Sequence, residues 1–203
     1  MNKKEEMDRI SKEVFGLENS PLYKYRMDNK AKAVPGEGDL DAKVIFVGEA
    51  PGKNEAEKGI PFCGMAGKIL DELLSHIGVL RNDVYITNIV KDRPPANRDP
   101  SPEEIALYAP FLDRQIETIK PNVIAPLGRY SAHYILERYA ELPFIPGISE
   151  SHGKVFEADM SYGRIKIIPL FHPAVALYNP SRKDELKKDF EVIKDHVSES
   201  PDL

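Results

Sequence analysis

Apolar residues along this chain fall into two rhythms. Lys43–Val47 is a continuous apolar run that predicts a buried strand. Further strands are predicted over Val84–Ile89, Val123–Leu127 and Ile165–Leu170. Between them the spacing turns helical. Met7, Ile10, Val14 and Phe15 mark a helix over Lys3–Phe15, and Ile69, Leu70, Leu73, Leu74 and Ile77 share one face of a helix over Ala66–Ile77. Ser101-Pro-Glu-Glu104 combines a capping serine, a first-turn proline and two acids, and so starts a helix that runs to about Lys120. Helices are also predicted over Arg129–Tyr139 and Arg182–Val197, while Pro21–Gly38 reads as a basic arm punctuated by Gly and Pro. Strands that alternate with helices predict an α/β fold of three layers, α/β/α, with a central, mainly parallel four-stranded sheet. The predicted organisation is one domain over 1–203, with an N-terminal helix and arm over 1–40 and a short disordered tail over 198–203.

Composition narrows the class. With 203 residues and 41% hydrophobic residues, the chain can bury a real core. No apolar run approaches the roughly 18–20 residues of a membrane span, and the charged N-terminus is not a signal peptide. A single cysteine excludes internal disulfides and fits a reducing, cytoplasmic setting. The net charge of −5 argues against non-specific nucleic-acid affinity over the whole surface but leaves room for a local basic patch.

The candidate chemistry sits at strand ends. The first strand runs into Gly48-Glu-Ala-Pro-Gly52, with Glu49 in the turn and Glu55 just beyond it. The turn lacks the spacing of a dinucleotide fingerprint and the Gly-Lys-Ser/Thr of a phosphate-binding loop. Read alone it is as consistent with ordinary strand-to-helix punctuation as with a binding turn. Phe62 follows, the second strand ends in Asn88, and the fourth is followed by His172. An asparagine amide presents donors and an acceptor together, so it can read a donor–acceptor base edge. Phe62 can stack on a planar ring, and His172 can stabilise negative charge on an oxygen. Together they suit a pocket for one flipped-out nucleobase. His76, His133, His152 and His196 have no motif company and no metal-ligand spacing, so they read as surface or packing residues. Lys91, Arg93 and Arg98, with Ser181-Arg182-Lys183, are charge runs. Such runs usually mean a solvated face; at a pocket mouth they are also the expected phosphate contacts. Leu177 and Tyr178 are candidates for a wedge filling the hole left by a flipped base.

Seven segments then fall in register over nearly the whole chain: Val34-Pro-Gly-Glu-Gly38, Gly48–Glu55, Pro61-Phe-Cys-Gly-Met-Ala-Gly67, Tyr85–Lys91, Arg93-Pro-Pro-Ala-Asn-Arg98, Ser101–Glu104 and His172-Pro-Ala174. On these the chain resembles the fourth family of the uracil-DNA glycosylase superfamily, the thermostable bacterial and archaeal type. The resemblance implies excision of uracil from DNA by hydrolysis of the N-glycosidic bond, leaving an abasic site. It implies that Gly48, Glu49 and Ala50 form the loop at the O2 edge of the base. Glu55 closes the pocket where a 5-methyl group would sit, Phe62 stacks on uracil and Asn88 reads N3 and O4. Asn97 lies near the attacking water, and His172 holds the departing anion at O2. Better-known members carry an aspartate where this chain has Ala50, which leaves the water-activating group open, with Glu49 the nearest carboxylate in sequence.

The family usually holds an iron–sulfur cluster on four cysteines. Here the matching positions are Leu17, Ser20, Asp92 and Tyr108, and the only cysteine is Cys63 in the Phe62 motif. One cysteine cannot supply four thiolates, so no cluster, metal or other cofactor is expected. The expected partner is uracil-containing DNA, single- or double-stranded. No membrane is implied, a monomer is expected, and a sliding-clamp partner leaves no legible signature. Hypoxanthine or xanthine as the excised base remains an alternative, as does a lesion binder without catalysis. The intact Glu49, Asn88 and His172 argue against the latter. A covalent-trapping variant would need an inserted histidine near Arg93, and none lies between Ile89 and Ile105.

Overall fold

Helices and strands alternate through the computed structural model, which describes residues 2–197. In order these are α1 (Lys3–Phe15), α2 (Pro21–Asp28), β1 (Glu37–Gly38), β2 (Val44–Gly48), α3 (Lys53–Lys58), α4 (Met65–His76), β3 (Tyr85–Asn88), α5 (Pro102–Ile119), β4 (Val123–Pro126), α6 (Arg129–Tyr139), α7 (Ile148–Ser151), β5 (Phe156–Met160), β6 (Gly163–Ile167), α8 (Val175–Tyr178) and α9 (Arg182–Val197). The tail expected to be disordered, Ser198–Leu203, lies outside the described residues.

The strands form one sheet in the order β1-β3-β2-β4-β6-β5. The four predicted strands are its parallel centre: β3, β2, β4 and β6 pair in parallel, with Gly48 opposite Asn88 and Ile45 opposite Ile124. The predicted count of four was short by two. β1 and β5 flank the centre as antiparallel edges, so the sheet is six-stranded and mixed. β1 is only two residues long, and no hydrophobic pattern announces it. β5 does alternate, with Ala158 buried between exposed Glu157 and Asp159, but so many acids hide a strand from a search for apolar runs.

The buried run of β2 divides its side chains between two cores. Val44 and Phe46 join Leu70, Leu73 and Leu74 of α4 and Leu186, Phe190 and Ile193 of α9. Ile45 and Val47 join Met7, Ile10 and Val14 of α1, Leu112, Ile116 and Ile119 of α5, and Ile135 and Leu136 of α6. Such two-faced burial is why the strand reads as continuously apolar.

The Pro21–Gly38 arm needs correction, because it opens with helix α2. Ser20 Oγ caps it by accepting the Leu22 N–H at 3.2 Å, and Pro21 fills its first turn. That is the same Ser-Pro start that announces α5, where Ser101 and Glu104 exchange backbone and side-chain bonds. The later Gly and Pro residues and the weak amphipathicity of α2 conceal it.

Candidate active site

All four parallel strands end on one side, and the segments after β2, β3 and β6 surround a cavity of about 360 Å³. That is near the small end of the roughly 300–1,000 Å³ typical of small-ligand sites. The loop after β2 contributes Glu49 through Gly52, with Glu55 from α3. Phe62 and Ala66 line one wall, Asn88 ends β3, Pro94 and Asn97–Asp99 come from the following loop, and His172 follows β6. The cavity thus brings together Glu49, Ala50, Glu55, Phe62, Asn88, Asn97, Arg98 and His172, all singled out from the sequence.

Gly48 lies beneath this group. A Cβ there would come within 2.2 Å of Asn88 Oδ1 and 2.8 Å of the Phe62 ring. Only glycine lets the amide and the aromatic ring close over the end of β2 together. Phe62 itself has φ 47°, a left-handed backbone that strains a bulky residue. Such strain costs on the order of 1–3 kcal/mol and persists only where the surroundings impose it. Here Glu55 Oε1 accepts the N–H groups of Cys63 and Gly64, each at 3.1 Å, and so fastens the segment that follows Phe62.

His172 stands beside Phe62, with ring centroids 5.5 Å apart. Loss of hydration pushes its pKa down to about 4, opposed only weakly by the Glu55 carboxylate. The residue's surface is not fully covered, but the ring sits deep enough for desolvation to dominate. The imidazole is therefore neutral near pH 7. Its Nδ1 accepts the Ala174 N–H at 3.2 Å, so the single ring proton sits on Nε2. The ring is a neutral donor with its orientation set by the backbone.

Glu49, from the loop after β2, is half-buried in the same cavity. Desolvation, reinforced by Asp99 and opposed by Arg129, raises its pKa to about 7. Asp99 was missed by sequence reasoning, although it lies between Arg98 and Pro100 in the motif-bearing stretch. It accepts the Tyr130 hydroxyl, and Arg129 donates to that hydroxyl at 2.6 Å, so this charge cluster joins the loop after β3 to α6. Asn97 is exposed on the rim, and its Oδ1 accepts from Arg93 Nε at 2.6 Å.

The expected phosphate contacts divide. Lys91 is not one of them: its side chain is completely buried and cannot reach a phosphate. Arg98 directs its guanidinium at Glu104, with bonds of 2.8 and 2.6 Å. Arg182 pairs with Glu185 and lies 5.0 Å over the Phe171 ring, and Lys183 pairs with Glu72. Leu177 and Tyr178 project from α8, just past His172, and Tyr178 is 88% exposed.

Of the four positions matched to cluster cysteines, three converge. Tyr108 donates its hydroxyl to Asp92 Oδ2 at 2.6 Å and lies 3.0 Å from Ser20 Oγ. Arg26 holds the same Asp92 at 3.0 and 3.1 Å and also donates to the carbonyls of Val14 and Phe15 at the end of α1. A hydroxyl, a phenol and a carboxylate already paired with a guanidinium do not fit a cluster held by four thiolates. No group of His, Cys, Asp and Glu among the described residues is arranged to hold a metal ion.

Comparison with known proteins gives the family. The family model described as the uracil DNA glycosylase superfamily matches residues 35–194. A type-4 uracil-DNA glycosylase of Archaeoglobus fulgidus is 45% identical over 189 residues, covering 93% of this chain and 92% of its own. One from Saccharolobus solfataricus is 42% identical, covering 96% and 88%, and one from Thermotoga maritima is 41% identical, covering 92% and 90%. The parallel strand ends, the cavity they surround and these relatives lead to one assignment: the chain belongs to the uracil DNA glycosylase superfamily, among its type-4 members.

Proposed function

We propose that this protein is a DNA repair enzyme that removes uracil from DNA by hydrolysing the N-glycosidic bond, leaving free uracil and an abasic site. The observation that carries the reading is His172: a neutral ring with its proton on Nε2, sharing a cavity with Phe62 and Asn88. In the mechanism, uracil leaves the stack and lies on Phe62, and the Asn88 amide reads N3 and O4. Glu55, fastened to the loop after Phe62, occupies the place of a 5-methyl group and rejects thymine. As the glycosidic bond breaks, the electron pair moves onto the base, and the Nε2–H of His172 meets the charge growing on O2. A donor already neutral needs no proton transfer to do this, and its effect is greatest in the transition state. Glu49 titrates near neutrality and takes a proton from the water that adds at C1′. Asn97 helps hold that water from the rim.

Arg93, Arg98, Arg182 and Lys183 meet phosphates around the mouth, with Leu177 and Tyr178 as the wedge. No described helix is long and apolar enough to cross a membrane. We read the protein as a cytoplasmic monomer. It works without an iron–sulfur cluster, and the single cysteine and the Arg26–Asp92 pair support that reading.

The test incubates the protein with oligonucleotides containing uracil, hypoxanthine, xanthine or thymine, then cleaves abasic sites with alkali. Cleavage at uracil alone is expected. Cleavage at hypoxanthine or xanthine in place of uracil would assign the pocket to another deaminated base, and no cleavage would make the chain a lesion binder.

A further inference from the structure

Lys91 is the one lysine among the described residues that is completely buried, and no carboxylate is among its partners. Its ammonium donates to Thr87 Oγ1 at 2.7 Å, to the Asn88 carbonyl at 2.6 Å and to Gln115 Oε1 at 2.6 Å. Burial lowers its pKa well below the usual lysine value, but all three partners can only accept. Two are carbonyl oxygens, and Thr87 Oγ1 gives its own proton to Pro35, so the geometry holds the amine as an ammonium with every proton used. Burying an ammonium is costly, and apolar residues of similar volume often fill such a place at no loss of stability. Packing alone therefore does not account for a lysine here.

What the three bonds hold is the end of β3. Thr87 Oγ1 also donates to the Pro35 carbonyl at 2.7 Å, and Gln115 of α5 donates to the same carbonyl at 2.8 Å. The ammonium thus gathers β3, α5 and the segment before β1 behind the cavity. On the cavity side of the same residue, the Asn88 amide oxygen lies over Gly48, which the Phe62 ring also approaches. The Asn88 backbone carbonyl is gripped from behind while its side chain faces the base. Turning the peptide after Asn88 would require breaking the lysine bond. A recognition group must stay within about 0.5 Å and 10–20° of its working geometry, and supporting bonds of this kind provide that.

We propose that Lys91 is a positioning residue for base recognition, clamping the Asn88 carbonyl so that the Asn88 amide stays aligned with the uracil edge. This rests on the reading of the cavity as a uracil site. It gives an effect that a general structural role does not: Lys91 governs interactions with the base and leaves those with the DNA backbone intact.

The test compares the parent with Lys91→Met, which fills similar volume without donors. Three quantities are measured: single-turnover excision of uracil, inhibition by free uracil, and affinity for DNA carrying a tetrahydrofuran abasic analogue. The variant is expected to excise uracil about 10- to 100-fold more slowly, as misplacement of a positioned group typically costs. Inhibition by free uracil should weaken in parallel. Affinity for the abasic analogue should stay unchanged, because that DNA offers Asn88 no base. Excision within twofold of the parent would overturn the proposal, and so would loss of abasic-DNA affinity in proportion to excision. If Lys91→Met does not fold, Gln115→Met reads the same clamp by removing its far acceptor. The same split, smaller in size, is expected, and unchanged excision would overturn the proposal. A parent inactive on uracil would instead overturn the reading of the cavity, and this inference with it.

Discussion

Gly67 lies so close to Phe62 that a Cβ on the glycine would come within 1.7 Å of the Phe62 carbonyl oxygen. The first turn of α4 therefore packs directly on the strained backbone of the aromatic residue at the cavity wall. Gly67→Ala should push Phe62 out of its left-handed conformation. Uracil excision is expected to fall by about 10²-fold, as displacement of a positioning group by about 1 Å can cost. Excision by this variant at the parent rate would show that the Phe62 backbone is not needed for stacking.

His172→Ala should slow the chemical step and spare DNA binding. Removal of one donor to a developing oxyanion typically costs about 10²–10³ in rate. Affinity for uracil-containing DNA, measured by fluorescence anisotropy, should change little because the proposed phosphate contacts do not involve His172. Single-turnover cleavage within a few-fold of the parent would make His172 structural.

Glu49 sets the pH response. With a pKa of about 7 it gains its charge as pH rises through neutrality, so a base role predicts excision that climbs from about pH 6 to about pH 8. His172 is neutral throughout this window and contributes no limb. In Glu49→Gln the climb should vanish along with most of the activity. Stability should move the other way. The folded state raises this pKa from 4.5, so it disfavours the ionised form, and the parent loses stability as pH rises from about 4.5 to about 7. The variant should therefore melt higher than the parent at about pH 8 and not at about pH 4. A pH profile unchanged by the substitution would assign water activation elsewhere.

Asn88→Asp should lose uracil. At neutral pH a carboxylate offers no donor to O4 and repels it, and a site built to hydrogen-bond its substrate is expected to lose roughly 10²-fold or more when the pairing fails. Unchanged uracil excision would mean that another group reads the base.

Arg26→Ala should unfold the N-terminal end of the molecule more readily. It leaves Asp92 buried beside Tyr108 without its counter-charge, and breaking such a pair costs about 3–5 kcal/mol. For a chain of this length that corresponds to roughly 6–20 °C in Tm. Purified parent protein should show no stoichiometric iron and no visible absorption band. About two or four irons per chain, the content of the clusters that four thiolates hold, would contradict the cluster-free reading.

Much of this was legible because the parallel centre leaves strong marks. β2 and β4 are buried on both faces and so read as apolar runs, and the strand-end residues Glu49, Asn88 and His172 announced the cavity. Weak signals were lost. β1 has two residues and no pattern, and the acids of β5 masked its alternation. Lys91 was misread for a deeper reason. In sequence it belongs to a cationic stretch, and only the depth of β3 shows that its chain turns inward to Thr87 and Gln115 while Arg93 stays at the rim. Asp99 was missed because its partner Tyr130, itself held by Arg129, lies some 30 residues away.

The sheet's short antiparallel borders bear on how the protein behaves when crowded. An open border of parallel, apolar strand is a template on which a second chain can add, the first step toward aggregation. Here Val44–Gly48 and Val123–Pro126, the segments best suited to such recruitment, lie two or more strands from either border. One border offers only Glu37 and Gly38, and the other presents Glu157 and Asp159, exposed and paired with Lys166 and Arg164, a charged edge that an incoming apolar strand would have to desolvate. Fraying from either side would uncover β3 or β6 first, each still held by its inner neighbour. The sticky centre stays sequestered until the whole domain opens.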